Sequence, residues 1–170
     1  MNAVTKSVSA SAPVRDEQTV KTLYLDAVRL VERVHRRFLD VVKDEFDRQG
    51  RADVNAVQAV LLFNIGDDEL TAGELKSRGY YQGSNVSYNL KKLVDSGHVN
   101  HQRSADDKRA VRISLSPKGR EVAEVVARLF DRQVRTITEI GGLGEDEFYR
   151  LNGSLQRLDR YWNDQILYRL

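Results

Sequence analysis

Cysteine is absent from this 170-residue sequence, and proline, methionine and tryptophan are rare, with two, one and one residues. Without cysteine there can be no disulfide, thiolate metal ligand, cysteine nucleophile or thiol redox sensor. The sequence also lacks an apolar run of about 20 residues, the length of a membrane span, and its N-terminus has no apolar segment of signal-peptide length. We therefore expect a cytoplasmic protein with no membrane association.

Residues suited to metal binding or catalysis are also scarce. The three histidines are His35, His98 and His101, whereas a zinc site would need three or four ligands at defined spacing. The sequence contains no glycine-rich phosphate loop, no Ser/His/Asp order and no carboxylate pair suited to acid–base catalysis. We predict that the protein is not an enzyme and that it holds no metal or cofactor.

Charge is abundant but unevenly distributed. The net charge of the chain is +2, which by itself says little about its partners. The segment from Lys76 to Arg112 has eight cations and three acids, a charge of +5, and the rest of the chain therefore carries −3. A basic segment in an otherwise acidic protein is typical of contact with nucleic-acid phosphates. Its cations are Lys76, Arg78, Lys91, Lys92, Arg103, Lys108, Arg109 and Arg112.

Long amphipathic helices are predicted at both ends of the chain. From Asp16 to Gln49 apolar residues recur mostly every three or four positions, which predicts one helix. Ser116-Pro117 is suited to begin a second long helix, and a last one is predicted from Glu145 to Leu170. Because these helices carry more apolar surface than one lobe can bury, we expect them to form a dimerisation region. The region comprises residues 16–50 and 117–170.

Shorter helices are predicted in the middle of the chain. The first covers residues 54–65, with Asp53 as a possible N-cap. Thr71-Ala72-Gly73-Glu74 then fits a capping box, in which the threonine hydroxyl and the glutamate carboxylate each bind a free backbone N–H. The short helix that follows is expected to end at Gly79. Another helix is predicted from Gly83 or Ser84 to Ser96.

After Gly97 the periodicity changes to an alternation that predicts two strands. They cover residues 98–103 and 109–115 and are joined by the polar turn 104–108. With the preceding helices they predict a winged helix-turn-helix lobe over residues 53–116, in which the hairpin is the wing. The predicted fold is therefore mostly α with a small β-hairpin wing, flanked by long dimerisation helices. A disordered tail is expected over residues 1–15.

The helix after Gly83 has an apolar face and a polar face. Val86, Leu90, Leu93 and Val94 are spaced to share the buried face. The other positions carry hydrogen-bonding groups near the N-terminus, where recognition helices read base edges, and cations further along, which suit phosphates. A polar face that simply contacts water is the alternative interpretation. The candidate DNA contacts on this helix are Ser84, Asn85, Ser87, Tyr88, Lys91 and Lys92.

The hairpin supplies four more candidate DNA contacts, Arg103, Asp107, Lys108 and Arg109. The tip can be read as an ordinary exposed turn. It can also be read as an arginine, held by a neighbouring aspartate, that enters a narrow minor groove. Arg109 shares strand parity with Val111, so either the ribbon twists near its tip or Arg109 turns inward to pair with an aspartate. The sequence leaves these alternatives open.

Residues 75–119 resemble the MarR family of bacterial transcription regulators. The resemblance is carried by NVSYNLKKLVDSGHV followed by DDKRAVRISLSPKG, and in particular by the wing motif Asp107-Lys108-Arg109 and the helix start Leu115-Ser116-Pro117-Lys118-Gly119. The phrase GYYQGSNVSYNLKKLVDSG also resembles the LdtR-type branch. The resemblance implies a homodimer, a palindromic operator in double-stranded DNA and a small-molecule effector, whose binding residues the sequence does not identify.

These observations predict a sequence-specific, dimeric DNA-binding regulator, with repression as the expected mode. The alternative is a protein-interaction module, because winged helices also bind proteins. The charge of +5 and the Asn and Ser side chains on the polar helix face favour DNA.

Overall fold

The computed structural model describes residues 16–77, 83–103 and 111–168. The fold is mostly helical with a small antiparallel hairpin between the shorter and the longer helices, as predicted. The predicted tail 1–15 and turn 104–108 lie outside the described residues. The elements are α1 (Glu17–Arg48), α2 (Ala56–Ile65), β1 (Leu70–Thr71), α3 (Ala72–Ser77), α4 (Gly83–Asp95), β2 (Val99–Arg103), β3 (Val111–Leu115), α5 (Pro117–Gly141) and α6 (Glu145–Tyr168).

Helix α2 begins at a different cap from the predicted one. Asn55 is the N-cap, because its side chain accepts a bond from the Gln58 N–H at 2.9 Å and the Gln58 side chain accepts one from the Asn55 N–H at 3.1 Å. The prediction of Asp53 was wrong, because α2 begins at Ala56 and Asn55 makes both bonds of the capping box. Asp53 instead contacts Arg51 and His98.

The sheet has three strands in the order β1-β3-β2, all antiparallel. The hairpin of β2 and β3 was predicted, but β1 was not, because two residues are too few to reveal an alternation. Leu70 of β1 pairs with Ile113 of β3, and Val99 of β2 pairs with Leu115. Strand β2 begins at Val99, so the prediction that His98 belongs to this strand was also wrong.

The core of residues 42–170 lies where α2, α4 and α5 meet the sheet. The predicted apolar face of α4 is confirmed, since Val86, Leu90 and Leu93 are buried and Val94 is half-buried. The rings of Phe63 on α2 and Phe130 on α5 pack edge to face with centroids 4.9 Å apart. The largest fully buried side chains are Leu61, Leu62, Ile65, Leu75, Leu93, Ile113, His98, Val42, Val86, Val122 and Val126.

The described chain divides into two units between Val41 and Val42. In the first unit, the described helical residues are mostly exposed, including the apolar Leu23 and Val34. In the second unit, α6 has no buried residue among those described, although it carries exposed leucines and tyrosines. None of the described helices has the length and apolar character that a bilayer span requires.

Candidate nucleic-acid interface

Helix α3 starts at the predicted capping box. The Glu74 N–H donates to Thr71 Oγ1 at 3.1 Å, and the Thr71 N–H donates to Glu74 Oε2 at 2.6 Å. Thr71 is also the last residue of β1, so the cap joins the sheet to α3. Leu75 then anchors α3 in the core with no exposed surface. This sequence of contacts fixes α3, the helix that precedes α4.

Helix α4 presents a polar face outside the core. Ser87, Tyr88, Lys91 and Lys92 are exposed, as predicted. Tyr88 is 59% exposed, and the Lys92 Nζ lies 4.7 Å from the centroid of its ring. This cation–π contact, worth about 0.5–1 kcal/mol at an exposed site, holds an aromatic ring and a cation side by side on the outer face.

The N-terminal end of α4 carries the predicted base-reading residues. Ser84 and Asn85 lie in the first turn of the helix, while their side chains lie outside the described part of the structure. The first turn of a 13-residue helix also has backbone N–H groups with no partner within the helix, and it carries the positive end of the helix dipole. The end of α4 where base contacts are predicted therefore also favours an anion.

The C-terminal end of α4 is held by α5. The Ser116 hydroxyl donates to the Gly97 carbonyl at 2.7 Å and accepts from the Gly119 N–H at 3.1 Å, so one side chain caps α5 and ties it to the exit of α4. Lys118 Nζ donates to the Ser96 carbonyl at 3.2 Å. Gly97 has φ of 75°, a left-handed conformation that glycine adopts without steric cost.

The hairpin brings a cation close to an acid that the sequence did not single out. Arg112 pairs with Gln102 across the strands, and its Nη1 lies 3.9 Å from Glu69 Oε2. Glu69 precedes β1, so the unpredicted strand carries a carboxylate to the base of the wing. The four predicted wing contacts, namely the Arg103 side chain and Asp107, Lys108 and Arg109, lie outside the described residues.

Two carboxylates beside this lobe are held in the charged form. Two hydrogen bonds from Arg51, assisted by one from His98, hold the pKa of Asp53 well below its ordinary value despite partial burial. Burial raises the pKa of Glu45, but hydrogen bonds from Arg132 and Gln49 outweigh it and the pKa is lowered. The Glu45 Oε2–Arg132 Nη2 distance is 2.6 Å. Neither carboxylate is suited to donate a proton near neutral pH.

The described residues show a cavity but no metal site. Within residues 16–77, 83–103 and 111–168, no cluster of three or more His, Asp or Glu side chains could hold a metal ion. A cavity of about 600 Å³ lies between the end of α5 and the start of α6. Its walls are mainly apolar and include Phe130, Val134, Ile137, Leu143 and Phe148.

The fold of this chain is similar to that of two proteins whose structures were solved with DNA. A mutant MarR from E. coli, solved in complex with operator DNA, superposes with a TM-score of 0.63 and 23% identity over 79% of this chain and 94% of MarR. FabT from Streptococcus pneumoniae in complex with DNA gives a TM-score of 0.61 and 22% identity over 83% of this chain and 98% of FabT. These likenesses show a common fold.

Sequence comparison extends the likeness from fold to family. The profile of the winged helix DNA-binding domain matches residues 54–119. The exopolysaccharide II synthesis transcriptional activator ExpG of Rhizobium meliloti (strain 1021) is 32% identical over 166 residues, which is 96% of this chain and 84% of ExpG. The chain belongs to the same family of transcription regulators as ExpG, and it has the winged-helix fold of MarR.

The relation to ExpG and the winged-helix match confirm the predicted fold class and the predicted DNA-binding regulator, and they place the chain among transcription regulators rather than enzymes. The LdtR-type branch is not confirmed by these relatives and stays a prediction.

Proposed function

We propose that this protein binds a palindromic operator as a homodimer, with α4 in the major groove and the wing against the flanking DNA. The exposed face of α4 carries the proposal, because Ser87, Tyr88, Lys91 and Lys92 form a polar and cationic surface on a helix whose other face is buried. The MarR and FabT relatives were solved with DNA, which supports the same docking here. Such a regulator would act where the chromosome lies, in the bacterial cytoplasm.

The candidate residues have two proposed roles, reading bases and binding the DNA backbone. Asn85, in the first turn of α4, is proposed to read a base edge, with Ser84 and Ser87 beside it. Lys91 and Lys92 lie further along the helix and are proposed to bind phosphates, which fixes register without reading sequence. Arg103, Asp107, Lys108 and Arg109 are proposed to bring the wing to the backbone or the minor groove.

Selection of bound sequences from random duplex DNA, followed by titration of variants, tests both roles. Asn85→Ala should weaken operator binding by about 1–3 kcal/mol and relax the preference at particular base pairs. Lys91→Ala should weaken operator and random DNA nearly equally and reduce the salt dependence by about one unit per lost phosphate contact. Gln18→Ala, an exposed polar change on α1, is the control and should change neither.

Two results would contradict the proposal. If the wild-type protein binds neither random DNA nor heparin at about 50 mM salt, the result would favour the alternative that the winged helix binds a protein. If Asn85→Ala keeps the base preference while Lys91→Ala alters it, α4 docks in another orientation and the residue roles are wrong.

The mode of regulation and the effector are further parts of the proposal. Repression was expected from the sequence, whereas ExpG is named as an activator, and a reporter gene placed behind the selected operator would decide between them. A small-molecule effector is supported by the apolar cavity between α5 and α6, whose volume is in the usual range for ligand sites. Its wall residue Phe130 contacts Phe63 on α2, so an occupant could act on the DNA-binding lobe.

A further inference from the structure

His98 is a buried titratable residue to which the proposed DNA contacts assign no role. Its side chain has no exposed surface. Its backbone N–H donates to the Leu93 carbonyl at 2.8 Å, and its carbonyl accepts from the Ser116 N–H at 3.1 Å. His98 therefore lies at the exit of α4, directly against the start of α5.

Both ring nitrogens of His98 have polar partners. Nδ1 lies 2.8 Å from Ser96 Oγ, just beyond the end of α4, and Nε2 lies 3.1 Å from Asp53 Oδ2. Asp53 is 45 residues earlier in the chain, in the segment that joins α1 to α2. The ring thus connects two segments that are distant in sequence.

The connection continues beyond Asp53. Arg51 donates to the Asp53 carboxylate through Nε at 3.3 Å and Nη2 at 3.2 Å. The Arg51 backbone N–H donates to the Phe46 carbonyl in the last turn of α1 at 3.0 Å, and Phe46 is itself buried. A continuous set of hydrogen bonds therefore runs from the end of α1 to the end of α4.

The chemistry of these groups restricts the direction of donation. A carboxylate can only accept, so Asp53 accepts from Arg51 and from His98 Nε2–H. In a neutral ring Nδ1 then accepts from the Ser96 hydroxyl, whose other contact is the Leu93 carbonyl at 3.3 Å. Every polar atom of the buried ring is satisfied in this arrangement, whereas loss of Asp53 would leave a buried donor unpaired.

We propose that His98 is a positioning residue for DNA reading, which locks the exit of α4 to the α1–α2 connection. This inference rests on the proposed function of α4. In a dimer the two recognition helices must enter major grooves about one helical turn, roughly 34 Å, apart. A loosened exit of α4 would therefore disturb operator binding, which needs both helices in register, more than binding to random DNA, which needs only phosphates.

The test compares His98→Met, an apolar side chain, with His98→Gln, whose amide can still donate to Asp53. Both variants are compared at a temperature where denaturation curves show them fully folded. His98→Met should lower the affinity for the operator about tenfold, in line with a lost bond to a charged group, and should lower the affinity for random DNA much less. His98→Gln should restore most of the operator affinity that His98→Met loses.

A double-mutant comparison tests the bond to Asp53 directly. In an Asp53→Ala background, His98→Met should have little further effect on operator affinity. His101→Met, at an exposed position of β2, is the control.

Amide hydrogen exchange of the protein without DNA supplies an independent readout. His98→Met should accelerate exchange at residues 93–99 and leave Val125 and Val126 in α5 unchanged. The inference is overturned if exchange rises equally throughout residues 42–170, or if operator and random-DNA affinities fall in parallel. It is also overturned if His98→Gln behaves like His98→Met. A wild-type protein that binds no DNA refutes the proposed function and, with it, the DNA-reading role of His98, whereas wild-type binding without these variant effects refutes only the inference.

Discussion

Asp53 binds two donors of different kinds, the guanidinium of Arg51 and the imidazole of His98. Its side chain is 30% exposed, so solvent screens part of the attraction. The hydrogen bonds from Arg51 and His98 still hold the pKa of Asp53 below its ordinary value. A carboxylate whose pKa is lower in the folded state stabilises the fold above its unfolded pKa, about 3.9, and this contribution is lost as pH falls toward the folded pKa.

Acid denaturation should therefore report on Asp53. We expect wild-type stability to fall below about pH 5, and the stability difference between wild type and Asp53→Asn, about 1 kcal/mol near neutral pH, to shrink over the same range. Urea denaturation at a series of pH values measures this difference. Arg51→Met should reduce the same pH dependence, because Arg51 is the main cause of the lowered pKa. An unchanged acid limb in Asp53→Asn would contradict the assignment.

Local sequence patterns could not have revealed this role of Asp53. An aspartate before a helix is typical of an N-cap, and His98 immediately precedes strand β2. The local pattern therefore favoured an N-cap role for Asp53 and a strand position for His98. The hydrogen bond that determines the surroundings of both side chains joins positions 45 residues apart. By contrast, the box of Thr71 and Glu74 was predictable because both of its hydrogen bonds are local.

At the level of elements, the first turn of α5 packs directly on the exit of α4. A Cβ added at Gly119 would lie 2.1 Å from the His98 carbonyl oxygen, a backbone atom. That oxygen also accepts the Ser116 N–H, so it cannot move away without losing a bond. The glycine in the predicted helix start Leu115–Gly119 therefore has a packing reason: only hydrogen fits between α5 and the chain leaving α4.

Gly119→Ala should consequently destabilise the protein, although alanine favours helices. We expect a loss of about 1–3 kcal/mol from overpacking, measured by urea denaturation. Gly73→Ala is the matched control, because its Cβ would meet only Thr71 Oγ1 at 3.8 Å, and it should be neutral or stabilising by up to about 1 kcal/mol. Equal effects of the two changes would show that the contact with His98 is not tight in solution.

The predictability of the elements followed their length. The apolar periodicity of α1, α5 and α6 extends over 24 to 32 residues, and the ends of these helices came within a few residues of the predictions. Strand β1 has only two residues. It is defined by the pairing of Leu70 with Ile113, which are 43 positions apart, and a local sequence pattern cannot predict such a contact. Because β1 was not predicted, there was also no reason in the sequence to place Glu69, the residue before β1, beside Arg112.

For the whole molecule, the long helices pose a problem of burial. Helix α6 has 24 residues and none is buried in the described chain, and Leu151 and Leu155, one turn apart on this helix, are exposed by 46% and 41%. A single helix with an uncovered apolar stripe gains little from packing and would be marginal in water. The same reasoning applies to the exposed apolar residues of α1. In the proposed homodimer, a second copy of the chain would cover these exposed apolar residues.

Dimerisation through α6 should then be sensitive to a charge on this stripe. Leu155→Glu would place a carboxylate in an apolar contact, where its desolvation is costly, and we expect a monomer at micromolar concentration by sedimentation velocity. Because operator binding would lose its second half-site, affinity should fall by about 100-fold or more, and the salt dependence should fall to roughly half as phosphate contacts are lost. Asn152→Glu adds the same charge at an exposed polar position of α6 and should leave the dimer intact. A dimeric Leu155→Glu protein with wild-type operator affinity would mean that α6 does not form the interface, and the exposed stripe of α1 would then be the surface to test.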